Sequence, residues 1–87
     1  MLGWTLLEGV GCNGPNGGAT GGKKLYDLNL ADCIESCKET PGCEGVTRYK
    51  EDGTGPGSCR HKHQIQLENC EPVVDKDLYM KPVDPGS

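Results

Sequence analysis

Apolar and polar positions change their period along this chain, and each change predicts an element. Residues 4–10, "WTLLEGV", are apolar enough for a strand, with Trp4 and Leu6 on one side of the pleat and Thr5 and Leu7 on the other. In "NLADCIESCKETPG" the spacing becomes three and four. Leu30, Cys33, Ile34 and Cys37 then form one narrow apolar stripe, which predicts a helix with both cysteines facing the core. Asn29 is its expected N-cap, Asp32 sets a carboxylate in the first turn where the helix dipole favours it, and Pro41 with Gly42 stops it. Beyond that turn, "CEGVTRYK" (43–50) and "CRHKH" (59–63) read as the two strands of a hairpin around the loop 51–58, and "DLYMK" (77–81) as a final strand. "QIQLENC" and "PVVDKD" read as irregular or edge-like. Residues 13–24, glycine-rich and broken by Pro15, carry nothing that can be buried and are expected to form a flexible loop. That loop lacks the ending and the strand-to-helix setting of a phosphate-binding P-loop. Residues 83–87 read as a tail or linker, so the expectation is one domain over 1–87 with a core of about 4–82.

Composition makes this core thin. Of 87 residues only 33% are apolar, none is Phe, and 14 glycines add backbone entropy that folding must overcome. So small a domain usually needs covalent or metal support, and six cysteines could provide it. The net charge of −4 argues against a nucleic-acid partner. No apolar run is long enough for membrane insertion. "MLGWTLLEGVG" lacks the basic start and long apolar stretch of a signal peptide, so an exported form is expected to be a piece of a longer precursor.

Three chemistries compete for the cysteines. Zinc sites show paired ligands at short spacing, whereas here Cys33 and Cys37 are separated by three residues on a helix and Cys43 stands alone. The best metal set, Cys59, His61 and His63, would project from one face of a strand and is the runner-up. Redox catalysis lacks a C-x-x-C motif. Disulfides account for Cys12, Cys33, Cys37, Cys43, Cys59 and Cys70 together, need no cofactor, and place the chain in an oxidising compartment: secreted, lumenal or at the cell surface. Sequence alone leaves fifteen connectivities open. No nucleophile elbow or metalloprotease helix marks an active site, so no enzyme is expected.

The candidate binding residues are cations of the hairpin. Arg48 and Lys50 share one strand face by period two, as do Arg60 and Lys62. A register that joins those faces would make a four-cation patch, extended by Lys23 and Lys24, suited to sulfated, sialylated or carboxylated glycans or to an acidic protein. A one-residue slip would scatter it, and exposed charges more often only balance neighbouring glutamates. His61 and His63 would lie with Cys59 opposite the cations, toward the helix, as partly buried, hydrogen-bonded histidines. Trp4 and Tyr49 are expected in the core and Tyr26 outside it.

The run Cys33-x3-Cys37-x5-Cys43, followed by "VTRY", a loop, "SCRHK" and the closing "DLYMK", resembles the PAN/apple domain over about residues 4–82. The resemblance implies a small disulfide-rich α+β fold with an antiparallel sheet cradling one central helix. It also implies bridges Cys33–Cys59 and Cys37–Cys43, with an outer bridge Cys12–Cys70. Such domains are non-catalytic modules of larger secreted or surface proteins that recognise carbohydrate or a protein partner. Two features depart from the pattern: Val46 stands where the family usually has an aromatic residue, and the glycine-rich insert after Cys12 is long. The alternatives are a structural domain that packs against neighbouring domains or subunits through Trp4, Leu6 or residues 64–67, and a zinc-stabilised domain.

Overall fold

The structure is a computed structural model and describes residues 3–12 and 17–82. Its strands are β1 (Thr5–Gly11), β2 (Thr20–Leu28), β3 (Cys43–Tyr49), β4 (Gly57–His63) and β5 (Glu71–Met80), and its helix is α1 (Leu30–Glu39). The five strands form one antiparallel sheet in the order β1-β5-β3-β4-β2, with α1 against one face. The α+β expectation therefore holds at the level of one helix on an antiparallel sheet.

Local chemistry explains α1. The Asn29 side chain accepts a hydrogen bond from the Asp32 backbone N–H at 2.8 Å, satisfying one of the orphan donors of the first turn. Leu30, Ile34 and Cys37 are buried in one cluster with Cys43 and Val46, flanked by Trp4 and Tyr79, and Cys33 on the same stripe is buried too. At the end of the helix the chain turns through Gly42, whose φ of 82° is one that glycine adopts without strain.

Three bridges tie these pieces together, in the pairing that the resemblance implies. Cys37–Cys43 spans the turn after α1, Cys33–Cys59 joins α1 to β4, and Cys12–Cys70 joins the end of β1 to the start of β5. The latter two close loops with sequence separations of 26 and 58, each worth about 3–5 kcal/mol in the chain-entropy account. Their sum is comparable to the whole net stability of an ordinary domain, about 5–15 kcal/mol.

The other sheet face has a smaller core of its own. Tyr79 packs with the helix, so its neighbour Leu78 points the other way, where it is fully buried with Cys12 and Ala19 among Leu7, Val10, Ile65 and Met80. Residues 17–19 and 64–70 cover this cluster and are joined by Gln66 N–H donating to Gly18 O at 2.7 Å. Close packing fixes Gly45: a Cβ there would stand 2.7 Å from the Tyr79 carbonyl oxygen.

One segment differs from expectation, and the edge-like reading of another holds for part of its length. From Thr20 onward the glycine-rich stretch is a strand, β2, paired with β4 through two register shifts. An edge strand is held by backbone hydrogen bonds, so it needs little apolar side chain. Residues 13–16 of the expected loop, and the expected tail 83–87, lie outside the described residues. "PVVDKD" belongs to β5, yet β3 pairs with β5 only from Lys76 onward, so Glu71–Asp75 borders β1 alone. Pro72 costs the sheet no central hydrogen bond there.

Candidate functional site

Register decides which cations meet. β3 and β4 pair with Arg48 opposite Cys59 and Thr47 opposite Arg60. Arg48 therefore lies on the helix face and Arg60 and Lys62 on the outer one, and the four-cation patch expected from the hairpin is corrected accordingly. Arg48 is 2% exposed. Its Nε donates to Gly53 O at 2.7 Å, Nη1 to Leu28 O at 3.1 Å and the Cys33 sulfur at 3.6 Å, and Nη2 to Gly55 O and, at 3.5 Å, Asp52 O. It is a clamp on the hairpin loop and cannot face a ligand. Lys50 is corrected too: it sits in a 3₁₀ turn after β3 and pairs with the Asp77 carboxylate at 2.5 Å. That acceptor holds the Lys50 ammonium above its ordinary value.

Arg60 and Lys62 gain other partners. Lys24 stands opposite Arg60 on β2, and Lys76 opposite Tyr49 on β5. With Thr47, Tyr49 and Ser58 these four cations line a cleft of about 210 Å³ on the outer sheet face, and among the described residues no carboxylate lines it. Lys62 is only 7% exposed and, among the described residues, forms no ion pair. Burial, reinforced by the charges of Arg60 and Lys76, pulls its ammonium below the ordinary lysine value. The Thr47 hydroxyl is buried and has no hydrogen-bond partner among the described residues. Lys76 Nζ lies 5.4 Å from the Tyr49 ring centroid, within cation–π range.

Tyr49, expected in the core, is a half-buried wall of this cleft, while Tyr26 is 65% exposed with Lys24 Nζ 5.4 Å from its ring centroid. Sequence reasoning missed Lys76, although the period-two series Lys76, Leu78, Met80 carries the signal: all three share the outer face.

On the opposite face His61 is 1% exposed, with Nε2 3.1 Å from the Ser36 hydroxyl and Nδ1 buried without a partner among the described residues. Burial first, then the His63 and Lys23 charges, lower its pKa. The Cys59 sulfur is bonded to Cys33, so the alternative metal set Cys59, His61 and His63 has no thiolate to offer. Trp4 is half-buried at the edge of a groove of about 790 Å³ that Leu30, Ile34 and Pro82 also line.

Fold and cleft together define a small three-disulfide α+β domain with a cationic sheet face. Comparison with protein-family models, with curated proteins and with solved structures finds no match for this chain. Three disulfides fit an oxidising environment, and among the described residues no helix is long and apolar enough to cross a membrane.

Proposed function

We propose that this domain is a non-catalytic binding module that recognises an acidic carbohydrate through its outer sheet face, as one unit of a larger secreted or surface protein. One observation carries the reading: Lys24, Arg60, Lys62 and Lys76 come together from three strands around a cleft that, among the described residues, no carboxylate lines, in a chain whose net charge is −4. The Lys62 side chain is largely buried and its ammonium has no ion-pair partner among the described residues, so a ligand anion that reaches it would supply the missing counter-charge. The PAN/apple-like cysteine pattern supports the same use. Chemical-shift titration of the ¹⁵N-labelled domain with sulfated, uronic-acid and neutral oligosaccharides, and with a poly-glutamate peptide, tests it. Shifts at Thr47, Tyr49, Arg60 and Lys62 with the acidic sugars alone are expected. Silence at those amides with every anion would end this reading, and a response to the peptide alone would move it to an acidic protein partner.

A second reading, assembly against a neighbouring subunit, draws on the helix-side groove of Trp4, Leu30, Ile34 and Pro82 and on Leu6, which is 43% exposed. It requires concentration-dependent self-association or capture of a neighbouring domain of the same parent protein. Sedimentation from micromolar to millimolar concentration, with Trp4→Ala as control, separates the two.

A further inference from the structure

The cleft is small for a ligand and well shaped for a substituent. Pockets that bury whole small molecules run to about 300–1,000 Å³, whereas this one holds about 210 Å³. Most of its charged donors are single points rather than forks: three lysines stand against one guanidinium, Arg60. Lysine ammoniums are point charges with three rotatable N–H groups, and a hydroxyl is a single swivelling donor, so together they approach an acceptor from several directions. A planar carboxylate is best read by a guanidinium fork. The buried guanidinium that could have supplied one, Arg48, is spent on carbonyls of the opposite face, and Arg60 is exposed at the rim. Two lining groups have no protein partner among the described residues, the Lys62 ammonium and the buried Thr47 hydroxyl.

We propose that the cleft is a subsite for one tetrahedral oxyanion ester, a sulfate or phosphate group carried on a sugar, seated on the Lys62 ammonium and the Thr47 hydroxyl; this rests on the acidic-carbohydrate reading above. The three terminal oxygens of such a group match donors that come from different strands: Thr47 of β3, Lys62 of β4 and Lys76 of β5. Tyr49 gives the sugar ring an apolar wall, and the exposed cations Arg60 and Lys24, the latter beside the Tyr26 ring, can meet a second charge on the chain.

The test titrates the whole domain with galactose 6-sulfate, galactose 6-phosphate, galacturonate and galactose, reading amide shifts and affinities. Both esters, or one of them, should shift Thr47 and Lys62 while galactose does not, and the ratio of the two affinities assigns the source of the oxyanion. Lys62→Gln should weaken the ester by about ten- to a hundred-fold, the loss of one charged hydrogen-bonding partner. Lys38→Gln, on the exposed helix surface, should leave binding unchanged. Thr47→Val and Lys76→Gln give the same reading by milder changes should Lys62→Gln unfold. Galacturonate binding in the cleft as tightly as the esters would overturn the oxyanion subsite and leave the acidic-ligand reading standing. Ester affinity unaltered in all three cleft variants would overturn it as well. No shift at the cleft with any of the three anions would overturn both.

Discussion

Arg48 shows what a single side chain can be asked to hold. Its guanidinium is buried with no carboxylate of the described residues bonded to it, and its charge is spread over carbonyls of residues 28, 52, 53 and 55, which ties the hairpin loop to the end of β2. Removing it leaves several of those carbonyls without a donor, each costing about 1–3 kcal/mol when shut away from water. Arg48→Met is therefore expected to destabilise the domain by about 3 kcal/mol or more in urea denaturation. Arg48→Lys should recover part of that, because an ammonium keeps the charge but not the fork. A loss under about 0.5 kcal/mol, the ordinary range of surface substitutions, would show the clamp to be idle. His61 carries the residue-scale pH dependence. Its neutral ring is favoured in the folded state by burial, beside His63 and Lys23, so the folded pKa lies below the ordinary 6.5. The unfolded chain then binds the proton more readily, and the contribution of His61 is complete above that value and lost as pH falls through the folded pKa. Stability measured between pH 7 and pH 5 should decline less steeply in His61→Gln than in the wild type. Parallel slopes would remove His61 from the acid response.

At the scale of elements, what could be read in advance was what contiguous residues encode. The helix announces itself through Asn29, a stripe at spacings of three and four, and a Pro-Gly stop, and all of these act within a few residues of one another. β2 was hidden because its stability comes from β4, across two register shifts, and its glycines give no alternation to detect. The candidate site was half legible for the same reason. Period two put Arg60 with Lys62, but the face of Arg48 depends on a register set by the hairpin loop, where the Asp52 carboxylate accepts from Ser58 N–H and would collide with any Cβ on Gly57. The outer bridge makes an element-scale prediction. Cys12–Cys70 anchors the cover formed by residues 17–19 and 64–70, whereas α1 is held by the other two bridges. Replacing both Cys12 and Cys70 by Ser should cost about 4 kcal/mol. It should also speed hydrogen exchange in the cover more than in α1. Equal loss of protection in both would mean that the two cores form one cooperative unit.

For the whole molecule, the charge distribution matters more than its sum. A chain of net charge −4 repels anions at long range, yet its outer sheet face gathers four cations into a cleft that no carboxylate of the described residues lines. Any acidic ligand must therefore approach through a field that changes sign close to the surface, over distances that salt controls: the Debye length is about 10 Å at 0.1 M and about 3 Å at 1 M. Salt should weaken binding by screening the cleft, since both partners there are charged. The exposed rim cations Arg60 and Lys24 should feel this most, and Lys62, shielded by burial, least. Affinity for a sulfated oligosaccharide is accordingly expected to fall steadily from 0.05 to 0.5 M NaCl, with a shallower slope in Arg60→Gln and an almost unchanged slope in Lys62→Gln, although the latter binds more weakly throughout. Isothermal titration across that range distinguishes the two roles. A slope that flattens equally in both variants would place Lys62 in the same screened layer as the rim, and its burial would then have no part in how the cleft holds its ligand.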